Sequence, residues 1–343
     1  MTPPGRRIHD PPGLPPSDFD PVNNPGDRAR LEEFWLPSRP DPEREPELHE
    51  HWRDMFSGPL RFVLAGSRLA EQPVTTALLA LRVPMRVLVP PAAAGFETSS
   101  NWSGAYILPN RGDRFSRVVG RWEAPEVKPG TGPNPPGLPF RCSIWIGLDG
   151  KKAWTRSMPQ VGTVHTVARD GTPEEPKLWW QWWVRDEHSA PHDIPGVPIR
   201  AGDEVLCSLT VVSPHEVRFH VKNRSTGTLA GFAVSELVPL RGATAEWIVE
   251  QPSDPQDDPK AVKGRRELEP LFPLPDYGSV VFRQCAAQAA VAPGLEGRCH
   301  LLRTPRLIRM SQRLTQPTRK ALISVPSCRN QKPGELRVTY HAP

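Results

Sequence analysis

Proline is the residue type that most constrains how this chain can fold. It accounts for 44 of the 343 residues, well above the roughly 5% that is usual in proteins. Each proline removes a backbone hydrogen-bond donor and fixes one backbone angle, which disfavours long helices. No stretch of the sequence approaches the roughly 18 consecutive apolar residues of a membrane-spanning helix. We therefore expect neither a helical bundle nor an integral membrane protein.

Charge and cysteine content give no sign of nucleic acid or metal. Lys and Arg number 43 against 38 Asp and Glu, but the basic residues are scattered, and the densest run, Lys260 to Arg266, lies beside an acidic stretch. No cysteine pair has the C-x-x-C spacing of a zinc or redox site. Of the five cysteines, only Cys285, Cys299 and Cys328 could contain a disulfide. We expect no nucleic-acid partner, no metal and no cofactor, and the redox compartment stays open.

The first 95 residues differ in composition from the rest of the chain. Residues 1–45 combine closely spaced prolines with many charges, which is typical of a segment that cannot bury enough apolar surface to fold. We predict that they are disordered. The run from Glu47 to Phe56 predicts a short amphipathic helix, and we interpret residues 46–95 as a spacer or pro-segment. The sequence at Met1 lacks the apolar core of a secretory signal.

From residue 96 onwards the pattern changes. Short alternating apolar runs are separated by Pro, Gly, Asn and Asp at spacings of roughly 8 to 12 residues, as in antiparallel sandwiches and barrels. No helix-length amphipathic run interrupts them. Gly202 and Gly227 fall in turns that require a positive φ. The sequence therefore predicts an all-β fold, an antiparallel double-sheet β-sandwich over residues 96–343.

Tryptophan is concentrated in this second region. Nine of the eleven tryptophans lie between Trp102 and Trp247, and four of them belong to the run Trp179 to Trp183 (WWQWW). Alternate residues of a strand share a face, so one set of these indoles would join the core and the other would form a wall. Such a wall suits an extended peptide or a sugar. Aromatic packing between two sheets explains the pattern equally well.

Two carboxylates share one face of a later strand-like run, Ala245 to Glu250 (AEWIVE). A carboxylate in a partly desolvated cleft can act as a general base, although a solvated surface would give the same pattern. Glu246 and Glu250 lie roughly 13 Å apart along a strand, too far for the carboxylate pair of a glycosidase. The usual motifs of serine hydrolases, zinc peptidases and nucleotide-binding proteins are absent from the sequence.

Six motifs occur in a defined order along the chain. They are Asn101-Trp102-Ser103-Gly104-Ala105, Trp145-Ile146-Gly147-Leu148-Asp149-Gly150, Pro159-Gln160-Val161-Gly162-Thr163, Trp179-Trp180-Gln181-Trp182-Trp183, Gly202-Asp203 and Ala245-Glu246-Trp247-Ile248-Val249-Glu250. Together they resemble the glutamic peptidases, or eqolisins, and the resemblance covers about residues 96–343. Each motif is weak alone, but the shared order makes the match specific.

The resemblance implies a concanavalin A-like jelly roll with a substrate cleft on one sheet. It assigns the catalytic roles to Gln160 and Glu250. The other positions that match residues at the family's cleft are Trp102, Asp149, Trp179, Gln181 and Glu246, with Glu246 as a supporting residue. The implied activity is that of an acid-acting endopeptidase on polypeptides, a monomer without cofactor, and the family also implies secretion.

Two departures from the family pattern concern the acidity of the cleft. Gln181 stands where fungal members carry a glutamate, and Ser253 replaces an acid three residues beyond Glu250. Both leave the catalytic pair intact but remove ionisable neighbours.

The alternative reading is a non-catalytic β-sandwich module that binds carbohydrate or peptide on its tryptophan-lined face. Retention of both Gln160 and Glu250 favours the enzyme, because a binding module has no need of that pair.

Overall fold

The computed structural model describes residues 6–70, 96–131, 137–185, 187, 189–253, 271–291, 297–302, 305–313, 320–328, 332 and 334–342. Within these residues the chain forms two α-helices, one 3-10 helix and nineteen strands. In chain order they are β1 (Arg7–His9), α1 (Pro25–Ala29), the 3-10 helix (Leu31–Phe34), α2 (Pro46–Phe56), β2 (Arg61–Val63), β3 (Arg68–Leu69), β4 (Phe96–Ser99), β5 (Trp102–Ile107), β6 (Arg114–Glu123), β7 (Phe140–Leu148), β8 (Ser157–Val167), β9 (Lys177–Val184), β10 (His192–Asp193), β11 (Glu204–Ser213), β12 (Glu216–Asn223), β13 (Thr228–Ser235), β14 (Ala245–Glu250), β15 (Ser279–Ala290), β16 (Arg298–Leu301), β17 (Arg306–Arg313), β18 (Lys320–Ser327) and β19 (Leu336–Tyr340).

The strands form two sheets. The back sheet follows the order β13, β12, β11, β6, β15 and β16, and both β1 and β2 pair with the free edge of β13. The front sheet follows the order β3, β10, β9, β8, β7, β14, β5, β17, β18, β19 and β15, with β4 beside β17. Every pairing is antiparallel except β2 with β13 and β4 with β17.

Strand β15 belongs to both sheets. Its first residues, up to Phe282, pair with β19 of the front sheet, and those from Arg283 onwards pair with β6 of the back sheet. The change of sheet coincides with a register shift between Arg283 and Ala286, where Gln284 has a φ of 53°. A bulge of this kind bends a strand and redirects its side chains. The arrangement confirms the predicted antiparallel double-sheet β-sandwich.

The core lies between the sheets and follows the predicted alternation. Trp180 and Trp182 of β9 and Trp247 of β14 are fully buried in the core. Trp179 and Trp183 instead join a second apolar cluster on the opposite face of the front sheet. The period of two along these strands therefore separates the core residues from the wall residues, as the sequence predicts.

The predicted turns and thiols are also found. Gly202 and Gly227 have φ angles of 87° and 75°, which L-residues with a side chain adopt at a cost. Cys142 and Cys207 are buried, packed thiols, and none of the five cysteines forms a disulfide. Among the described residues, no helix has the length and apolar content needed to cross a membrane.

Residues 6–69 pack on the outer face of the back sheet, and we call them the N-terminal strap. This corrects the expectation that residues 1–45 are disordered, which holds for none of residues 6–45. Most of the buried apolar side chains of the strap form one cluster with two back-sheet residues: Phe19, Leu31, Leu36, Trp52, Met55 and Phe56 with Leu206 and Leu229. The strap has too few apolar residues for a hydrophobic core of its own. A few apolar side chains are enough to order it when they pack against the folded back sheet.

Polar contacts also fasten the N-terminal strap. Lys222 Nζ donates to the carbonyl oxygens of Asp54 at 2.9 Å and Ser57 at 2.8 Å. These carbonyls lie at the C-terminal end of α2, where helix carbonyls lack partners within the helix and attract cations. Arg218 of β12 pairs with Glu32 of the strap at 2.6 Å. Helix α2 itself, Pro46–Phe56, confirms the predicted amphipathic helix.

Beyond α2, the strap adds short strands to both sheets. β2 pairs with β13 of the back sheet, and β3 pairs with β10 at the edge of the front sheet. Part of the predicted spacer, residues 46–69, is therefore built into the sandwich. Residues 71–95, the rest of that spacer, lie outside the described residues. The domain boundary at residue 96 stays a prediction.

Candidate active site

One face of the front sheet carries most of the residues singled out in the sequence, and we call it the front face. Five neighbouring strands contribute to it: β9, β8, β7, β14 and β5. Their front-face residues are Trp102, Trp145, Gln160, Trp179, Gln181, Glu246 and Glu250, and each is at most 3% exposed. So many polar side chains are rarely buried together, because each needs a partner to offset its lost hydration.

Glu250 is the last residue of β14, opposite Trp102 of β5 and Ser143 of β7. Its Oε2 accepts a hydrogen bond from Trp145 Nε1 at 2.9 Å. Its Oε1 accepts a longer one, 3.5 Å, from Asn101 Nδ2. The two donors fix the orientation of a fully buried carboxylate, and a carboxylate held in this way is a suitable proton acceptor.

Gln160 lies on β8 opposite Gln181 of β9. Its Nε2 donates to Gln181 Oε1 at 2.7 Å, and Gln181 Nε2 in turn donates to the backbone carbonyl of Ser189. The Oε1 of Gln160 is buried and has no hydrogen-bond partner among the described residues. Because an amide nitrogen carries two hydrogens, Gln160 offers both a second N–H and a carbonyl oxygen to a bound molecule.

Gln160 and Glu250 come from different rows of the sheet. Gln160 opposes Gly147 of β7, which opposes Glu246 of β14, and Glu250 lies four residues further along that strand. The indole of Trp145 connects the two rows. A Cβ on Gly147 would lie 3.0 Å from Trp145 Cζ3, while Trp145 Nε1 contacts Glu250. This ring therefore sets the separation of the two side chains.

Two glycines of the sequence motifs make room for that ring. A Cβ on Gly162 would lie 2.6 Å from the Cβ of Trp145 and 2.0 Å from the carbonyl oxygen of Ile144. A Cβ on Gly147 would also crowd Gln160, at 3.3 Å from its Cβ. Any side chain at either position would displace the indole that donates to Glu250. The glycines of the W-I-G and Q-V-G motifs are thus explained by packing.

Glu246 occupies the row of Gln160 and is fully buried. Burial raises its pKa to about 8, and the nearby Thr244 side chain and Gly150 backbone act against the rise. The Glu246 carboxyl lies near Trp102, since a Cβ on Gly150 would be 3.0 Å from Trp102 Cη2 and 3.5 Å from Glu246 Cδ. At acidic and neutral pH, Glu246 is therefore an uncharged neighbour of Gln160.

Asp149 holds a loop together. Its carboxylate accepts hydrogen bonds from the backbone N–H groups of Arg241 and Ala243, both at 2.5 Å, and of Gly242 at 3.0 Å. Burial raises its pKa to about 6, and these backbone donors limit the rise. Both oxygens are engaged by the loop that leads into β14, so Asp149 positions that strand, whereas the sequence predicted a substrate-binding residue.

Trp102 and Trp179 present unused donors on the front face. The Nε1 atoms of both indoles are buried and have no hydrogen-bond partner among the described residues. Trp102 packs edge-on against Trp145, with ring centroids 5.2 Å apart. Buried indole N–H groups usually find an acceptor, so these two donors indicate where a bound molecule supplies one.

Sequence reasoning missed three residues of this site. Asn101 and Trp145 belong to the motifs quoted above, but no role was predicted for them. A signal was available, because Asn101 and Trp145 both carry side-chain donors and stand beside Trp102 and two residues before Gly147 in those motifs. Ser189 had no signal, because it acts through its backbone carbonyl. No three His, Cys, Asp or Glu side chains among the described residues are grouped to hold a metal ion.

The fold and the front face define a glutamic-type peptidase, and comparison with a family model agrees. The model of the Peptidase A4 family matches residues 100–300. The chain belongs to the peptidase A4 family, and it is a hydrolase of peptide bonds. A search of the curated proteins found no match to this chain.

Solved structures of glutamic peptidases share the fold. Scytalido-glutamic peptidase with a transition state analog inhibitor is 20% identical, covers 71% of this chain and 98% of its own, and has a TM-score of 0.52. A second structure of that peptidase, with a peptide-based transition state analog, is 19% identical with the same coverage and a TM-score of 0.51.

Proposed function

We propose that the protein is an acid-acting endopeptidase that hydrolyses polypeptides with Glu250 and Gln160 as its catalytic pair. The observation that supports this assignment most is the front face itself. A carboxylate oriented by Trp145 and Asn101 lies on the same buried surface as an amide whose carbonyl oxygen has no partner. These are the two kinds of group that hydrolysis by an activated water requires.

In the proposed reaction, Glu250 takes a proton from a water molecule as the water oxygen attacks the carbonyl carbon of the substrate. The carbonyl oxygen becomes an oxyanion and accepts a hydrogen bond from the second N–H of Gln160. Glu250 then returns the proton to the leaving nitrogen, and the carbon–nitrogen bond breaks. Gln160 cannot titrate, so its contribution to stabilising the oxyanion is the same at every pH.

The proposed substrate is a polypeptide, because an extended backbone presents alternating acceptors and donors. Its carbonyl oxygens would accept from Trp102 Nε1 and Trp179 Nε1, both buried without partners among the described residues. Scytalido-glutamic peptidase, which shares this fold, has been solved with transition state analogs, one of them peptide-based. Within this proposal the protein acts as a monomer and needs neither nucleic acid nor membrane.

The proposed acid preference follows from two buried carboxyls, Glu246 in the row of Gln160 and Asp149, whose charge acts on Glu246. Burial raises the pKa of Glu246 to about 8 and that of Asp149 to about 6. As the pH rises through these values, both groups become charged, and the negative charge of Glu246 in the row of Gln160 opposes formation of the oxyanion. Protonation of Glu250 limits activity on the acid side. Gln181 and Ser253 add no further charge. The upper pH limit of activity therefore lies nearer neutrality than it would with acidic residues at positions 181 and 253.

Digestion of casein between pH 3 and 8 tests the catalytic assignment, with wild type beside Glu250→Gln. The substitution is nearly isosteric and removes only the proton acceptor, so we expect at least about a 10³-fold loss of rate with an unchanged circular dichroism spectrum. Glu123→Gln is the matched control, because Glu123 is exposed at the end of a back-sheet strand. If Glu250→Gln keeps about a tenth of the wild-type rate, the base lies elsewhere.

A further inference from the structure

A chain of hydrogen bonds leads from the N-terminal strap to Gln160. Arg6 Nη2 donates to Ser189 Oγ at 3.2 Å. The backbone carbonyl of Ser189 accepts from Gln181 Nε2, and Gln181 Oε1 accepts from Gln160 Nε2 at 2.7 Å. All four residues are at most 8% exposed. Strap and catalytic amide are thus connected through two intermediate residues.

The outer end of this chain is anchored by a buried ion pair. Arg6 donates through Nε at 2.9 Å and through Nη2 at 2.7 Å to the same oxygen of Glu236. Their side chains are 0% and 4% exposed. Ser189 Oγ also accepts from the backbone N–H of Val184, at 3.0 Å, at the end of β9. The position of Ser189 is therefore determined from two sides.

We infer that Arg6 is a positioning residue for catalysis, acting through Ser189 and Gln181 to fix which way the Gln160 amide faces. The inference rests on the proposed function, because it assumes that Gln160 stabilises the oxyanion. It gives the N-terminal strap a part in the reaction that is separate from its packing on the back sheet.

The direction of each amide follows from donor and acceptor chemistry. A backbone carbonyl only accepts, so Ser189 requires Gln181 to present Nε2 to it and Oε1 to Gln160. Gln160 must then present Nε2 to Gln181, which leaves its Oε1 and its second N–H for water and substrate. The reversed Gln181 amide would place two oxygen acceptors against each other at Ser189 and two N–H donors against each other at Gln160.

Arg6 suits this role at acidic pH. A guanidinium stays charged throughout the working range of proteins, so Arg6 remains a donor to Ser189 at acidic pH. Gln181 is likewise unable to titrate. A glutamate at position 181 would have to be protonated to donate to the Ser189 carbonyl, and its ionised form would repel that carbonyl.

The first test measures kcat and KM for Arg6→Gln and Gln181→Leu. We expect kcat to fall about tenfold for Arg6→Gln and up to about 10²-fold for Gln181→Leu, since small misplacements of a catalytic group are costly, with KM changed less than about twofold. Arg218→Gln is the matched control, because it breaks the ion pair with Glu32 of the strap outside this chain of bonds. It should keep both constants.

Coupling provides a sharper readout than either single variant. In the double variant, Arg6→Gln should cause no further fall in kcat once Gln181→Leu has removed the link to Gln160. Additive losses would mean that Arg6 acts by general stabilisation of the fold, and the inference would be wrong. Circular dichroism and the unfolding midpoint of each variant are measured in the same buffer.

Gln181→Glu tests the inner part of this chain of bonds, from Ser189 through Gln181 to Gln160, and leaves Arg6 unchanged. Its result can be interpreted even if Arg6→Gln fails to fold. We expect its kcat to match wild type only where the new carboxyl is protonated, so that the upper limb of the pH profile moves to lower pH. An unchanged pH profile would overturn the inference. A wild-type rate for Gln160→Ala would instead overturn the proposed function, which separates the two failures.

Discussion

The two outer faces of the sandwich bury polar side chains in different ways. On the back sheet, Lys222 and His220 are covered by the N-terminal strap and donate to or contact strap carbonyls at 2.8 to 2.9 Å. On the front face, the indole nitrogens of Trp102 and Trp179 and the Oε1 of Gln160 are equally buried but have no partner among the described residues. The strap therefore supplies partners to Lys222 Nζ and His220 Nε2, although His220 Nδ1 and Arg117 Nε on the same side also lack a partner among the described residues.

This difference separates structural burial from a site. A buried donor or acceptor without a partner costs about 1–3 kcal/mol, and native structures keep few such groups. On the back sheet the strap removes that cost for Lys222 Nζ and His220 Nε2. On the front face the cost remains until a bound molecule supplies the missing partners, which is what a substrate cleft requires. Each prediction below changes one face and asks whether the other responds.

Trp52→Ala should have the largest effect on stability. Trp52 is 3% exposed in the cluster between the strap and the back sheet, and truncating a buried tryptophan costs about 3–5 kcal/mol. We expect the free energy of unfolding in urea to fall by that amount. Trp154→Ala is the control, since Trp154 is 63% exposed. A loss below about 1 kcal/mol at position 52 would mean that the strap is dispensable, as its composition suggested.

Gln160→Ala should affect the front face alone. Removing one oxyanion donor lowers kcat by roughly 10² to 10³, equivalent to about 2.7–4 kcal/mol in the activation free energy. The free energy of unfolding should fall by about 1–3 kcal/mol, because the change removes the bond from Gln160 Nε2 to Gln181 Oε1, while the Oε1 of Gln160 has no partner to lose. Initial rates on a peptide substrate and urea unfolding of the same preparation measure both quantities. Equal rates for variant and wild type would contradict the assignment.

The sequence predicted the front sheet well because its signals are local. The period of two separated Trp180 and Trp182 from the other residues of the WWQWW run. The ordered motifs singled out Gln160 and Glu250, which lie on β8 and β14, on either side of β7. The strap was predicted wrongly because composition describes whether a segment can fold alone, and this segment folds on a surface made by strands that come later in the chain. No local pattern reports such a surface.

Long-range polar contacts are the part of the structure that the sequence does not report. Asp149 looked like a cleft residue, yet its carboxylate is engaged by the backbone of residues 241–243. The bond from Arg6 to Ser189 joins residues 183 positions apart. Neither contact leaves a periodic or compositional trace. The motifs could therefore identify which residues belong to the site, but not which of them face the substrate.

The two faces should respond to pH with opposite sign. Burial raises the pKa of Glu246 to about 8, so its contribution to stability is full below the unfolded value of about 4.5 and is lost as the pH rises towards 8. Burial lowers the pKa of His51 and of His220 to about 4. Their contribution is full above about 6.5 and is lost as the pH falls towards 4.

Urea unfolding of wild type, Glu246→Gln and His51→Gln from pH 4 to 8 checks these signs. The free energy of unfolding of wild type should decline between pH 5 and 8, and Glu246→Gln should make that decline smaller by about 1–3 kcal/mol. It should also decline below pH 6.5, and His51→Gln should make this second decline smaller by a similar amount. The charged groups that act on His51 are Asp54, which raises its pKa, and Arg117 and Arg121, which lower it. Parallel curves for all three proteins would contradict this account.

The smallest expected effect is the difference between two buried tryptophans, one whose indole N–H has a hydrogen-bond partner and one whose indole N–H has none. Trp122 Nε1 donates to Thr163 Oγ1 at 3.2 Å inside the core, whereas Trp179 Nε1 is unpaired on the front face. Both rings are fully buried, so a change to phenylalanine removes the same volume from each position. The difference between the two variants therefore isolates the indole N–H.

We expect Trp122→Phe to lose about 1 kcal/mol more stability than Trp179→Phe, because only the former loses a hydrogen bond, while its KM stays at the wild-type value. Trp179→Phe should raise KM by roughly five- to tenfold, the equivalent of about 1 kcal/mol in binding, since substrate then lacks one donor. Steady-state kinetics and urea unfolding measure the pair. If Trp179→Phe leaves KM unchanged, its unpaired N–H is a tolerated packing defect, and an unpaired donor on the front face no longer marks a substrate contact.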